Sequence, residues 1–251
     1  MQDFNGKVAL ITGGARDIGR QVSLKLAKAG AAVCINYFDN KDDAETTLSM
    51  INEIGGKAII VQGDMTKQPD VDNLVGKCRE AFGGEINVLV NVAGGLVARK
   101  TMEEMDWEFW NFLMTLNLGT VFMVTKAVLP YMPEGGAIVN FSSQAARDGG
   151  GPGASAYATS KGGVLTFTRG LAKELGPKGI RVNCVSPGMI NTTFHDTFTK
   201  PEVREKVASG TPLRREGEAP EVADLVTYLA SDEASFITGA SVEINGGTYF
   251  I

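Results

Sequence analysis

The chain has 251 residues, of which 43% are hydrophobic and 21% charged, and its formal net charge is −5. This balance is typical of soluble globular domains and argues against nucleic acid as a partner, because nucleic-acid binding depends on clustered Lys and Arg. The three cysteines lie far apart and outside any CxxC pair, so we expect a reducing compartment, no disulfide and no metal site. With no signal peptide or membrane-spanning run recognised, a cytoplasmic location and no membrane partner are expected.

Short apolar runs alternate with helical patterns along the chain. Strands are predicted at residues 8–11, 32–36, 58–62, 88–91, 137–141, 181–185 and 242–244, and helices at 18–29, 40–54, 70–82, 104–131, 155–175 and 220–230. Strands that are apolar throughout are typical of a sheet buried on both faces, and their alternation with helices implies parallel pairing with right-handed crossovers. The sequence therefore predicts a single α/β domain over residues 1–251, with a doubly wound, seven-stranded parallel sheet and helices on both faces.

The stretch 190–212 departs from this alternation. It carries two prolines, one histidine and several Thr and Phe residues without clear periodicity. Such a segment is typical of a mobile loop or a helical lid over a site. We therefore predict a substrate lid here.

A glycine-rich turn follows the first strand and reads Thr12-Gly13-Gly14-Ala15-Arg16-Asp17-Ile18-Gly19-Arg20. Glycines let the backbone approach a pyrophosphate, and the free N–H groups of the following helix attract an anion. The alternative is a tight turn that needs glycine for its backbone conformation alone.

This turn resembles the fingerprint of the short-chain dehydrogenase/reductase family, which is Thr-Gly, three variable residues, then Gly-x-Gly. The resemblance implies a Rossmann fold and an oxidoreductase that uses NAD or NADP. Asp17 stands where the family usually has its middle glycine. Its carboxylate either points outward and favours the helix N-terminus, which is the preferred interpretation, or weakens cofactor binding.

Tyr157 and Lys161 are four residues apart in a predicted helix and therefore share one face. A free phenol titrates near about 10, and a nearby ammonium lowers that pKa toward the range useful for proton transfer. Ser143 follows the strand 137–141, at the edge where open α/β sheets bind ligands, and Ser142 is the alternative register. Each feature alone is also compatible with an ordinary amphipathic helix or a strand-end cap.

The family resemblance implies the roles of these residues. Ser143 would hydrogen-bond the substrate oxygen, Tyr157 would give or take its proton, and Lys161 would lower the pKa of the tyrosine and hold the nicotinamide ribose. Asn117, in Leu116-Asn117-Leu118-Gly119, matches the fourth catalytic residue, which supports a proton relay through water. The alternative for Asn117 is a hydrogen bond to backbone only.

The resemblance also implies a cofactor site. Besides Tyr157 and Lys161 it comprises Gly13, Arg16, Asp17, Ile18, Gly19, Asn36, Asp64, Met65, Asn91, Ala93, Gly94, Pro187, Gly188, Ile190 and Thr192. Asn36 stands where NAD-preferring folds place an acidic residue, and Arg16 resembles the basic residue of NADP-preferring members, so NADPH is predicted. Asp39 and Phe38 lie close by in the sequence and leave NADH as the alternative cofactor.

The substrate is less defined, because the pocket and not the fold decides it. Candidate pocket residues are Gln144, Arg147, Phe194 and His195, and the guanidinium of Arg147 suggests a carboxylate or phosphate on the substrate. By resemblance the substrate is a small-molecule carbonyl compound or alcohol, with 3-oxoacyl thioester reductases, keto-sugar or keto-uronate reductases and polyol dehydrogenases all fitting. The resemblance further implies a homotetramer joined through the long helices 104–131 and 155–175 and the C-terminal strand.

A second function class is a dinucleotide-sensing protein that keeps the fold and has lost catalysis. Asp17 is the one feature that favours it. The presence of Asn117, Ser143, Tyr157 and Lys161 together favours the enzyme.

Overall fold

The structure, a computed structural model, describes residues 2–250. The strands are β1 Val8–Thr12, β2 Ala32–Tyr37, β3 Lys57–Gln62, β4 Val88–Asn91, β5 Ala137–Phe141, β6 Arg181–Pro187, β7 Ile190–Asn191, β8 Gly217–Glu218 and β9 Ser241–Ile244. The helices are α1 Asp17–Lys28, α2 Lys41–Glu53, α3 Gln68–Phe82, α4 Trp107–Met114, α5 Thr120–Val128, α6 Ala145–Asp148, α7 Ser155–Leu175, α8 Thr193–Phe198, α9 Pro201–Gly210 and α10 Ala219–Ala230. Every predicted strand and helix is present, with ends that differ by a few residues.

Seven strands form one parallel sheet in the order β3-β2-β1-β4-β5-β6-β9. Strand order reverses between β1 and β4, so the connections on either side of this point leave the sheet in opposite directions. A crevice opens there at the carboxyl ends of the strands, which is where such sheets bind ligands. The predicted Rossmann architecture is confirmed.

Helices cover both faces of the sheet because each strand is apolar on both sides. In β1, Ala9 and Ile11 pack into a core with α1, α2 and α10. Val8 and Leu10 point to the other face and pack into a core with α3, α5 and α7. Alternate side chains of one strand thus reach two cores, as expected for a buried parallel strand. The assignment of residues 1–251 to a single domain stays a prediction.

The helix predicted over 104–131 is one continuous run with an irregularity in the middle. A π-helical turn, Thr115–Gly119, joins α4 to α5. Such widened turns occur frequently at functional sites, and this one carries Asn117. By length and composition alone Trp107–Tyr131 could cross a membrane. In the fold, however, Leu113, Val124 and Val128 are buried, and packing against the sheet accounts for much of its apolar character.

The predicted lid is helical. Residues 190–212 contain β7, α8 and α9, and β7 pairs with β8. Arg204 on α9 donates to Asp196 on α8 and to Glu216 beside β8, the latter at 2.6 Å. These charge-assisted contacts tie the lid elements to one another.

Candidate active site

A cavity of about 870 Å³ follows the carboxyl edge of the sheet. Most of the residues predicted to bind cofactor line it: Gly13, Arg16, Asp17, Ile18, Gly19, Asn36, Asp64, Met65, Ala93, Gly94, Tyr157, Lys161, Pro187, Gly188, Ile190 and Thr192. Ser143, Gln144, Phe194 and His195 line it as well. The glycine turn therefore shares one cavity with Ser143, Tyr157 and Lys161, three of the four predicted catalytic residues.

The glycine turn has the features of an anion cradle. Arg16, the N-cap of α1, makes no side-chain hydrogen bond to the first helical turn, and Ile18 and Gly19 border the cavity there. A Cβ added at Gly19 would lie 2.0 Å from the carbonyl oxygen of Gly13, so only glycine permits this close return of the backbone. The residues present therefore fit a dinucleotide pyrophosphate at the start of α1.

Asn36 does not face the ribose position with a free amide. Its Nδ2 donates to the carbonyl oxygen of Gly63 at 3.0 Å, and its Oδ1 accepts from the N–H of Gly13 at 3.3 Å. The side chain is buried and holds the glycine turn and the end of β3 in place. Asn36, predicted as a cofactor-site residue, lines the cavity, and its side chain supports the turn; a direct cofactor contact stays a prediction. Phe38 and Asp39, which the sequence analysis considered for cofactor choice, line the same end of the cavity. Three further lining residues there were not predicted: Tyr37, Asn40 and Asp43.

Lys161 is buried beneath the cavity floor. Its Nζ donates to the carbonyl oxygen of Phe141 at 2.9 Å and lies 5.9 Å from the centre of the Tyr157 ring. Burial penalises the ammonium and lowers the pKa of Lys161 to about 8, as desolvation does for any buried cation.

The phenol of Tyr157 does not have the lowered pKa that the sequence predicted. Burial raises the pKa of Tyr157, and the hydrogen bond with Ser143 works in the opposite direction. In the protein alone, desolvation therefore outweighs any effect of the Lys161 charge. Tyr157 therefore carries its proton at neutral pH, and burial in the protein alone makes that proton harder to donate.

Ser142 and Ser143 have different surroundings. The hydroxyl of Ser142 is buried and donates to the carbonyl oxygen of Lys161 at 2.9 Å. The hydroxyl of Ser143 accepts from the N–H of Ala145 at 3.2 Å and interacts with Tyr157. Ser143 is therefore the serine available to a ligand beside the phenol, as the preferred register predicts.

Asn117 holds the loop that follows β4. Its Nδ2 donates to the carbonyl oxygen of Gly95 at 2.9 Å, and its Oδ1 accepts from the N–H of the same residue at 2.9 Å. A Cβ at Gly94 would lie 2.6 Å from Asn117 Oδ1 and 3.2 Å from Lys161 Nζ. The side chain of Asn117 thus bonds to backbone, as the alternative interpretation stated. It supports the site from behind Gly94.

Three predicted site residues lie outside the cavity lining: Asn117, whose bonds are given above, Asn91 and Arg147. The amide of Asn91 is buried in the sheet and donates to Asn140 Oδ1 at 2.9 Å. The guanidinium of Arg147 turns away and pairs with Glu243 at 3.1 Å, with both side chains largely buried. Neither residue lines the cavity, so the expected cofactor contact of Asn91 and the expected anion site at Arg147 are corrected. Sequence spacing placed both residues near strand ends and could not reveal these pairings.

The substrate end has apolar walls that the sequence identified only in part. Phe194 packs 6.1 Å from Tyr157 and 5.2 Å from Phe198, measured between ring centres. The remaining apolar lining residues at this end include Leu96, Val97, Phe112, Met189 and Val207. His195 is mostly enclosed, its Nδ1 lies 2.9 Å from Thr199 Oγ1, and burial lowers its pKa.

Comparison with known proteins agrees with this geometry. A family model described as enoyl-(acyl carrier protein) reductase matches residues 13–249. The 3-oxoacyl-[acyl-carrier-protein] reductase FabG of Staphylococcus epidermidis is 35% identical over 245 residues, which cover 97% of this chain and 99% of the relative.

Solved structures of similar sequence share the fold over their whole length. A short-chain dehydrogenase/reductase from Serratia marcescens is 33% identical, with a TM-score of 0.92 and coverage of 97% of this chain and 98% of that chain. A blue fluorescent protein from a metagenomic library, solved in complex with NADPH, is 32% identical, with a TM-score of 0.93 and coverage of 99% and 100%. The chain therefore belongs to the short-chain dehydrogenase/reductase family and is an NAD(P)-dependent oxidoreductase.

Proposed function

We propose that this enzyme reduces the ketone group of an apolar carbonyl compound, such as a 3-oxoacyl thioester, to an alcohol, with NADPH as the preferred reductant and Tyr157 as the proton donor. One observation carries the proposal. Ser143, Tyr157 and Lys161 line the same cavity as the glycine turn. Proton transfer and dinucleotide binding can therefore act on one bound substrate.

The chemistry of each side chain follows from its surroundings. A bound nicotinamide dinucleotide supplies a hydride to the carbonyl carbon. The hydroxyls of Ser143 and Tyr157 would donate to the carbonyl oxygen, and the phenolic proton of Tyr157 would pass to that oxygen as negative charge develops on it. The ammonium of Lys161, 5.9 Å from the phenol ring, would then stabilise the tyrosinate left behind. Tyr157 carries its proton at neutral pH, so it would enter the reduction as the protonated phenol.

The cavity walls support an apolar substrate. Phe194 and Phe198 lie on the lid side of Tyr157, and Val97 lines the opposite loop. Arg147, the predicted partner for a substrate carboxylate, is neutralised by Glu243. An acyl chain fits such walls better than a polyhydroxylated sugar, because apolar walls do not satisfy hydroxyl groups removed from water.

The adenosine end of the cavity supports NADPH. The Arg16 side chain is 61% exposed and borders the cavity. One guanidinium nitrogen, Nη1, donates to Thr193 Oγ1 at 3.1 Å, and the remaining N–H groups can bind a 2′-phosphate with charge-assisted hydrogen bonds. The carboxylate of Asp43 is already paired with Arg20 at 2.8 Å. Arg16→Ala is expected to weaken NADPH binding about tenfold, the loss of roughly one such hydrogen bond, and to leave NADH binding almost unchanged. Fluorescence titration with both cofactors measures this, and NADH bound more tightly than NADPH by the wild type would contradict the preference.

We also propose a cytoplasmic homotetramer. The support is an apolar surface on the long helix, where Trp107, Phe112 and Phe122 are exposed. Exposed large apolar patches are typical of protein contacts.

The direct test follows NADPH and NADH oxidation over acetoacetyl thioesters, diketones, keto sugars and keto-uronates. Tyr157→Phe is expected to lose at least about a hundredfold in kcat, the usual contribution of a positioned acid, and to bind NADPH as the wild type does. Tyr131→Phe, which alters a tyrosine outside the cavity, is the matched control and keeps its rate. A Tyr157→Phe enzyme that retains its rate contradicts the proton-donor role, and a higher kcat/KM for keto-uronates than for thioesters contradicts the substrate class.

A further inference from the structure

The residue that departs from the family fingerprint makes a contact that a glycine could not make. The carboxylate of Asp17 accepts the backbone N–H of Thr193 at 3.1 Å and the hydroxyl of Thr193 at 2.5 Å. Arg16 completes the contact by donating to the same hydroxyl oxygen at 3.1 Å. The first residue of the phosphate-binding helix α1 is thereby joined to the first residue of the lid helix α8.

The backbone of Asp17 has a conformation that suits glycine better. Its φ is +49°, in the left-handed region that glycine adopts freely and that Asp adopts only occasionally. The side chain also adds a negative charge to a turn built to receive a pyrophosphate. A residue that carries both disadvantages at a functional site indicates a compensating role.

The contact lies next to Phe194, the lid residue that packs against the predicted catalytic residue Tyr157. Thr193 precedes Phe194, whose ring packs 6.1 Å from that of Tyr157. The other end of α8 is held separately, since the guanidinium of Arg99 donates to the carbonyl oxygen of Phe198 at 3.4 Å. The Asp17 contact therefore fixes the end of α8 that carries Phe194.

We propose that Asp17 is a positioning residue that anchors the lid to the glycine turn and so sets Phe194 against Tyr157 at the substrate end of the cavity. The kinetic consequence rests on the proposed function, whereas the anchoring itself does not. Loss of the anchor would loosen the lid without removing any group that binds the cofactor pyrophosphate.

The first experiment measures the lid directly and needs no turnover. Trypsin can cut the lid within α9, after Arg204 and Lys206, whereas Lys200 precedes Pro201 and is not cleaved. Cutting in a helix requires local opening. Asp17→Gly is expected to accelerate cleavage at these sites at least fivefold, both with and without NADPH, and not to lower the melting temperature, because glycine adopts this φ freely. Asp17→Asn keeps an acceptor for the Thr193 N–H, so its cleavage rate is expected to lie between those of the wild type and Asp17→Gly. Asp42→Asn removes a charge from the first turn of α2, away from the cavity, and is the control.

A second variant tests the same contact from the lid side. Thr193→Val removes the hydroxyl and should also accelerate cleavage, and the double variant Asp17→Gly/Thr193→Val should be cleaved no faster than the faster single variant, since both remove one interaction. Wild-type cleavage rates in Asp17→Gly, or additive effects in the double variant, would overturn the anchor.

The kinetic experiment uses NADPH and an acetoacetyl thioester. Asp17→Gly is expected to raise the KM for the thioester about fivefold to twentyfold while NADPH binds as tightly as before or more tightly, because a negative charge has left the pyrophosphate turn. A general structural defect would instead weaken the binding of both the thioester and NADPH. If the wild type reduces no substrate while the cleavage results hold, the proposed function fails and the anchor stands. An unchanged KM with faster cleavage would overturn the positioning role.

Discussion

At the scale of single residues, the buried ammonium of Lys161 predicts the pH dependence of the reaction. Its pKa is lowered to about 8 by burial, so above that pH the amine is neutral and cannot stabilise a tyrosinate at Tyr157. The rate of reduction is therefore expected to fall about tenfold per pH unit above about 8, the slope for loss of one proton. A pH–rate profile measures this, and a rate that stays flat to pH 10 would contradict it.

The lowered pKa of Lys161, which reduces activity at high pH, increases the stability of the fold there. Between about pH 8 and the ordinary lysine pKa of roughly 10.4, the unfolded chain binds more protons at this position than the folded one, so the free energy of unfolding rises with pH in that window. The contribution is absent in Lys161→Met. The melting temperature of the wild type relative to this variant should therefore increase from pH 8 to pH 10, while activity declines.

Gly94 offers a second residue-scale prediction with a neighbouring control. A Cβ at Gly94 would lie 2.6 Å from Asn117 Oδ1 and 3.2 Å from Lys161 Nζ, at a φ of +154°, whereas a Cβ at Gly95 would meet nothing within 4 Å. Gly94→Ala is expected to lower kcat at least about tenfold by displacing Lys161, because small misplacements of catalytic groups cost that much or more. Gly95→Ala should retain the wild-type rate. Equal rates for the two variants would show that the space at Gly94 is not required.

At the scale of elements, a chain of buried amides joins β4, β5 and α7. Asn91 donates to Asn140, and Asn140 donates to Thr168 Oγ1 at 2.9 Å. Asn140→Ala removes both bonds and leaves the Asn91 amide only its 3.3 Å bond to Thr125 Oγ1, so the free energy of unfolding is expected to fall by about 2 to 4 kcal/mol. Urea unfolding measures this loss, with the exposed Asn73→Ala as control. A loss below about 1 kcal/mol would show that the chain contributes little to holding α7 and its tyrosine against the sheet.

At the scale of the whole molecule, the proposed tetramer can be tested on its apolar surface. Phe122 is 48% exposed and lies 6.4 Å from Phe167 between ring centres, so α5 and α7 present aromatic side chains side by side. Phe122→Asp places a charge there and is expected to reduce the molar mass measured by light scattering at micromolar protein. Asn52→Asp, at an exposed position on α2, is the control for added negative charge. A wild type that is monomeric by light scattering would contradict the proposed tetramer.

The sequence by itself determined the fold, and the family resemblance implied most of the cofactor-binding residues that line the cavity. Strand and helix positions follow from local apolar periodicity, which acts over a few residues. The glycine turn and the residues Ser143, Tyr157 and Lys161 follow strand ends or share a helix face, and the parallel sheet brings those ends to one edge. These features could be inferred because each depends on neighbours close in the chain.

Only the tertiary structure decided which polar side chains are free to act. Arg147 is neutralised by Glu243, 96 positions away, Asn91 bonds Asn140 on the adjacent strand, and Asp17 bonds Thr193, 176 positions away. The raised pKa of Tyr157 likewise results from burial, which no residue spacing reports. Hydrogen-bond partners and desolvation depend on groups that folding brings together from distant parts of the chain, and for this reason they were beyond the reach of sequence patterns.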